Sequence, residues 1–200
     1  MLVHDSPGSA LAATLQRQGN NFHSPFIPRP TPHSDQQVNM TTPDSSVASV
    51  TRESLIAGLN EDLAREYQAI IAYVVYSQAI KGAQYMTIAK ELEVHAAEEL
   101  SHALIIANQI DYLGGEITAT PKPVKTSDDP KTMLRFDLEN ERETILAYRE
   151  RVRQCEALGE YAISEHIREI LLDEQEHLVD LATALGEDPP NLSQPQKSGK

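Results

Sequence analysis

One pattern occurs twice in this chain, and it limits what the chain can fold into. A glutamate is followed 33 residues on by a second glutamate, and three residues later by a histidine (66 to 99, 141 to 174). The first copy is Glu66, Glu99 and His102; the second is Glu141, Glu174 and His177. Seven residues after each leading glutamate stands a tyrosine, Tyr73 and Tyr148. The copies are offset by 75 residues (66 to 141, 99 to 174), so one structural unit is used twice.

That unit is a helical hairpin. Apolar residues recur in steps of three and four through roughly 52–81, 83–113, 131–158 and 160–185. The seam of the fourth segment reads Ile163, Ile167, Ile170, Glu174, His177, Leu181, Ala184. The third gives Leu134, Leu138, Glu141, Ile145, Tyr148, Val152, Cys155. The second gives Ile88, Leu92, His95, Glu99, His102, Ile106, and the first Leu55, Leu59, Asp62, Glu66, Ala69 or Ile70, Tyr73. The glutamates and histidines therefore fall in the core seam, near the middle of each helix.

"KG" at 81–82 and "LG" at 158–159 make the first and last connections very short, so each hairpin is antiparallel. Asp129-Pro130 supplies an N-cap and a proline at the first helical position. The middle connection, "GGEITATPKPVKTSDD", is far longer. About 16 extended residues span about 50 Å, and a helix of about 30 residues is about 45 Å long, so this stretch can cross the bundle end to end. The expectation is an all-α, up-down-down-up four-helix bundle over 51–186, with one long crossover between helices two and three.

Four carboxylates and two imidazoles buried as bare charges would be prohibitive. Two divalent cations neutralise the four carboxylates, and neutral histidines complete the shell. Oxygen and imidazole donors suit iron or manganese. One Glu from each of two helices, plus Glu-x-x-His from each of the others, is a known dimetal arrangement for bundles. The competing reading, a buried polar network without metal, has six positions repeated in register against it. His95 lies one turn before Glu99 on the same face: an additional ligand, part of an iron entry path, or a hydrogen-bonded core histidine. Glu98, Asp173 and Glu176 read as solvated helix faces, and Cys155 as core.

The rest of the composition excludes more than it assigns. A formal charge of −13 with no run of Lys or Arg argues against nucleic-acid binding, while an acidic shell concentrates cations. A single cysteine leaves no disulfide framework and no four-cysteine metal module. No apolar run has the length of a membrane span, and a signal peptide is not expected, so a cytoplasmic setting is. Residues 1–50 hold six of the twelve prolines and no periodic pattern, and read as a disordered arm; Met40 is an alternative start. Residues 187–200 read as a disordered tail.

With these residues in hand, 51–185 resembles the ferritin-like superfamily, and bacterioferritin most closely. "LNEDLAREYQAIIAY" is similar to the family's first helix, "EELSHA" to its second, "MLRFDLENE" to its third and "ILLDEQEHL" to its fourth. The resemblance implies Glu66 and Glu141 as terminal ligands, Glu99 and Glu174 as bridges, His102 and His177 as further ligands, and Tyr73 beside the metals as a hydrogen-bond donor or electron donor. Tyr148 occupies the matching place in the second half. The implied activity is a ferroxidase with two iron ions per subunit (manganese as the alternative), oxidising Fe(II) with O₂ or H₂O₂ in iron storage or detoxification. The implied assembly is a homo-oligomer, at least a dimer. Two departures qualify it. Leu100 stands where a methionine binds haem in bacterioferritin, so haem is not expected, and no fifth helix is evident after Leu185. The alternative is a rubrerythrin-like peroxide-reducing or other dimetal oxidoreductase without iron storage; a scaffold with a structural metal stands third.

Overall fold

Thr51 starts the first helix. Its hydroxyl accepts the Ser54 N–H at 3.1 Å, and the Ser54 hydroxyl accepts the Thr51 N–H at 2.9 Å, a reciprocal cap. The computed structural model describes residues 50–193. Helix α1 runs Arg52–Ala79 and α2 Met86–Tyr112, joined through Gly82 (φ +125°) and the short 3₁₀ turn Ala83–Tyr85. Helix α3, Pro130–Leu158, is capped by Asp129, whose carboxylate accepts the Thr132 N–H at 2.9 Å. It ends on Gly159 in the left-handed region (φ +76°), which turns the chain into α4, Tyr161–Leu185. The four expected helices are present, each within a few residues of its expected ends. There is no strand among the described residues.

The long connection does cross the bundle, and α1 guides it. The Asn60 amide donates to the Glu116 carbonyl and accepts the Thr118 N–H, at 2.9 and 2.7 Å. Lys122 N–H donates to the Ala64 carbonyl at 2.9 Å, Gln68 to the Pro123 carbonyl at 3.0 Å, and the Tyr76 hydroxyl to the Lys125 carbonyl. Successive turns of α1 meet successive crossover residues, so α3 begins at the end of the bundle where α1 stops. Helix α3 then packs antiparallel to α1, and α4 antiparallel to α2. The topology is up-down-down-up.

Two apolar clusters fill the interior. One holds Leu59, Leu63, Ile106, Ile110, Ile163, Ile167 and their neighbours; the other holds Tyr76, Ile80, Leu92, Met133, Leu134 and Leu181. Full burial contributes about 1.5–3 kcal/mol per large aliphatic side chain, enough to carry a polar layer between the clusters. Beyond α4, residues 187–193 follow no helix and are tied to α3: Glu187 pairs with Arg135, and Arg149 donates to the Leu192 carbonyl at 3.2 Å. The expected arm up to residue 49, Met40 within it, and the end of the expected tail, 194–200, lie outside the described residues.

Candidate metal centre

The polar layer contains all six of the repeated residues. None of Glu66, Glu99, His102, Glu141, Glu174 and His177 is more than 2% exposed, so water cannot solvate their charges. They fall into two groups of four whose donor atoms lie within 4.8 Å of one another. One is Glu66, Glu99, His102 and Glu174; the other is Glu141, Glu99, His177 and Glu174. Glu99 and Glu174 belong to both. Nδ1 of His102 is 3.0 Å from Glu99, 3.4 Å from Glu174 and 3.5 Å from Glu66; Nδ1 of His177 is 3.1 Å from Glu99 and 3.7 Å from Glu174.

Buried polar atoms normally find partners. Here Glu66 Oε2, Glu99 Oε1, both oxygens of Glu174 and His177 Nδ1 are buried without a hydrogen bond. All five belong to these two groups. Such an arrangement is incomplete as a polar network and complete as two sets of donors for cations.

The outward atoms are held from behind. Nε2 of His102 is 3.1 Å from Asp173, and Nε2 of His177 is 2.9 Å from Glu98. Glu98 and Asp173 are partly exposed, as expected of helix faces, but that description misses their contact: each fixes the ring of a histidine whose other nitrogen faces the centre. The repeat carried the signal, since both are acidic, 75 apart (98 to 173), and directly precede Glu99 and Glu174. The tyrosines cross over. Tyr73 on α1 donates to Glu141 on α3, and Tyr148 on α3 donates to Glu66 on α1. Each occupies one oxygen of a glutamate that belongs to a single group and steadies it. Burial, and then the neighbouring glutamate, raises both phenols well above their usual range, so both remain protonated donors.

Two further buried carboxylates were given no role from the sequence. Asp62, buried one turn before Glu66, is bound by Arg151 (Nε to Oδ2, 2.6 Å) and by Arg65. Gly58 makes room for this pair: a Cβ there would lie 1.8 Å from the Arg151 guanidinium. Asp137, the repeat counterpart of Asp62, is equally buried, with one oxygen unpartnered. His95 is buried on α2 with its ring 4.0 Å from that of His177. Leu100 is half exposed on the same helix.

The ferritin-like domain family matches residues 56–189, most of the chain. The chain belongs to the ferritin-like family. Among curated proteins it is 29% identical over 132 residues to the bacterioferritin of Brucella melitensis biotype 1, covering 66% of this chain and 82% of that one. Among solved structures it is similar to a ferritin-like diiron-carboxylate protein of Bacillus anthracis: 34% identity, TM-score 0.65, 67% of this chain and 96% of that one. It is also similar to a dodecameric thioferritin, the bacterioferritin-related protein of Bacteroides fragilis: 30% identity, TM-score 0.64, 69% and 88%. No helix among the described residues is long and apolar enough to cross a membrane.

In this ferritin-like chain, protons must neutralise the layer when metal does not. Burial, and then the charge of Glu66, pushes Glu99 up to about 8. Burial, and then Glu174, raises Glu141 well above the carboxylate range. Burial opposes charge on His177, but the adjacent carboxylates of Glu174 and Glu99 prevail and push it up to about 12; His102 is raised by the same competition. The sign follows. Glu99, at 4.5 when unfolded, contributes stability that is full below 4.5 and gone above about 8. The His177 contribution is full below 6.5 and declines above it. His95, pushed down to about 3 by burial and then by His177, acts oppositely but only below 6.5. The metal-free protein is therefore expected to lose stability from about pH 6.5 to 8, at about 1.4 kcal/mol per pH unit for each proton retained by the fold alone. Thermal unfolding at both pH values checks this. Saturating divalent metal should reverse the trend, because metal displaces those protons.

Proposed function

We propose that this chain is a ferroxidase that takes up two Fe(II) ions within its own bundle and oxidises them with O₂ or H₂O₂, in iron storage or detoxification. The observation that carries this reading is the pair of four-residue groups sharing Glu99 and Glu174, with five unpartnered donor atoms turned into them. Glu66 and His102 would hold one ion, Glu141 and His177 the other, and Glu99 and Glu174 would serve both. Hard oxygen donors with one imidazole apiece favour Fe(II) over a thiolate-preferring metal, and Mn(II) is the alternative occupant. Each iron supplies one electron, and the two electrons with two protons convert O₂ to H₂O₂, or H₂O₂ to two waters.

The protein's share is preorganisation. Tyr148 and Tyr73 hold the terminal carboxylates, while Asp173 and Glu98 orient the imidazoles. The buried thiol of Cys155 and the Fe(II) substrate both fit a reducing cytoplasm. A homo-oligomer is the assembly we infer, supported by the dodecameric relative and by the exposed apolar residues Ile71, Val74, Leu100 and Leu104 on α1 and α2.

Anaerobic Fe(II) titration of the metal-stripped protein tests the reading. At least about two ions per chain are expected to bind, followed by rapid oxidation when O₂ or H₂O₂ is admitted. Repeated additions then separate the uses: iron retained far beyond the pair supports storage, and retention of the pair alone supports the peroxide-reducing alternative. Saturation at one ion, or no oxidation, overturns the proposal.

A further inference from the structure

We propose that Arg65, Lys122 and Lys125 form a binding site for a small oxyanion of the phosphate class, on the α1–α3 face of the bundle, and that an anion there favours cations in the buried pair. The three cationic side chains line one cavity of about 220 Å³, between α1, the crossover and α3. A water takes up about 30 Å³ of liquid, so the cavity has room for a tetrahedral oxyanion with part of its hydration. Glu141, from the second donor group, lines the same cavity and brings the anion beside the centre.

The chain has a formal charge of −13, so three cations around one cavity run against its composition. Their protein partners leave them undersatisfied. Nε of Arg65 is buried without a hydrogen-bond partner, on a side chain only 17% exposed. A guanidinium carries N–H donors and no acceptor, so only an acceptor can satisfy it. Its terminal nitrogen bonds Asp62, but Arg151 holds that same carboxylate, and two arginines therefore share one negative charge. Lys122 pairs with Glu61, which is largely exposed, and surface pairs of this kind are weak. Lys125 stands 5.4 Å from the centroid of the Phe136 ring, against an aromatic face rather than a carboxylate. Two carboxylates, Glu141 and Glu143, also line the cavity. Glu141 accepts the Tyr73 hydroxyl and belongs to the pair, and Glu143 is exposed to water, which weakens its field.

The repeat shows that the bundle does not need this arginine. The position matching Arg65 in the second hairpin is Asn140 (65 to 140), which lines the same cavity with a neutral amide. The lysines have no counterpart, because the crossover occurs once. Its backbone is already pinned to α1: Lys122 N–H donates to the Ala64 carbonyl at 2.9 Å, and the Tyr76 hydroxyl donates to the Lys125 carbonyl. Binding then has only side chains left to order, which keeps its entropy cost low. Arginine and lysine together suit an oxyanion, the first as a planar fork and the second as a point charge. The coupling follows from sign. Without an anion, three positive side chains oppose a cation held at Glu141; with one, their charge is offset. Each ligand then raises the affinity of the other by the same factor. The coupling rests on the dinuclear reading; the anion site does not.

Calorimetric titration of inorganic phosphate into the metal-stripped full chain tests the site. Wild type is expected to bind about one phosphate, and Lys122→Gln/Lys125→Gln and Arg65→Gln to bind it at least about tenfold more weakly. The lysine variant alters only crossover side chains, so its thermal midpoint should stay that of wild type and a lost fold cannot stand in for a lost site. Sulfate should displace the phosphate, and chloride at the same ionic strength should not. Glu99→Ala/Glu174→Ala should bind phosphate as wild type does. The site is wrong if wild type binds no phosphate, if the lysine variant binds it as tightly as wild type, or if chloride displaces it. It is also wrong if only Glu99→Ala/Glu174→Ala loses phosphate, because the anion then sits on residual metal. The coupling is read from Co(II) affinity in sulfate and in chloride at equal ionic strength. Wild type should bind Co(II) about fivefold more tightly in sulfate, and the lysine variant equally in both. Equal Co(II) affinity in the two salts, with phosphate still bound, overturns the coupling and keeps the site. No Co(II) bound in either salt overturns the dinuclear pair and keeps the site.

Discussion

A Glu99→Ala/Glu174→Ala variant is expected to lose Fe(II) oxidation by at least about 100-fold, since loss of outer-shell partners alone costs metal sites about 10–100-fold. The reason is the sharing of these two residues by both donor groups. Removing Glu66 or Glu141 subtracts a donor from one group; removing Glu99 and Glu174 subtracts two from each. What remains is one carboxylate and one imidazole per group, too few to hold either ion at low concentration. Stopped-flow absorbance after O₂ is admitted reads the rate, and the wild type serves as reference.

The same variant should lose the stabilisation that metal brings. A ligand at about 100 times its dissociation constant stabilises the fold by about 2.7 kcal/mol. In a domain of this size that raises the thermal midpoint by roughly 5–10 °C. The shift is expected in wild type with Fe(II) or Mn(II) under anaerobic conditions and should vanish in the variant. Were the six residues only a structural polar network, metal would move neither protein, and the substitution would lower the midpoint of the metal-free wild type instead. A variant that keeps both the shift and the rate removes the dinuclear proposal.

Much of this centre was legible before any coordinates, because helical geometry converts sequence spacing into direction. Glu99 and His102 share a face at three-residue spacing, and the 75-residue offset requires Glu174 and His177 to do the same. The crossover length then fixed which helices run together. What escaped was of another kind. Arg151 reaches Asp62 across 89 positions, and no local periodicity tells which residue of α3 lies opposite a given residue of α1. Glu98 and Asp173 sit beside the seam rather than on it, so a count of apolar steps assigns them to solvent. Their role appears only when the reach of an imidazole ring is known. The tyrosine pairing was half visible: Tyr73 and Tyr148 mark equivalent positions, but their exchange across the α1–α3 interface depends on the antiparallel register. His95 was left open among three roles, and its buried Nδ1 has no hydrogen-bond partner.

Arg151→Met tests the contact that sets this register, with an expected loss of about 3 kcal/mol of unfolding free energy in the metal-free protein. Asp62 is 1% exposed, and Arg151 supplies two of the groups facing it, Nε at 2.6 Å and Nη2 at 3.4 Å. Burial raises the Asp62 carboxyl, and Arg151 is the chief influence holding it down; without that charge Asp62 must take up a proton or remain unpaired. Arg65 still bonds Asp62, which places the cost at the low end for a broken buried pair. The effect should also reach the centre. Arg151 lies three residues beyond Tyr148 and Asp62 four before Glu66, so this pair clamps the same two turns that the Tyr148–Glu66 bond joins. Loosening them should weaken Fe(II) binding severalfold without changing the number of ions bound. Urea unfolding of Arg151→Met, Asp62→Asn and the double variant forms a double-mutant cycle. If the pair matters as an ion pair, the double variant will be more stable than Arg151→Met alone, because no carboxylate is then left buried without its partner. Additive losses would show instead that each side chain acts by packing, and that the α1–α3 register is set elsewhere.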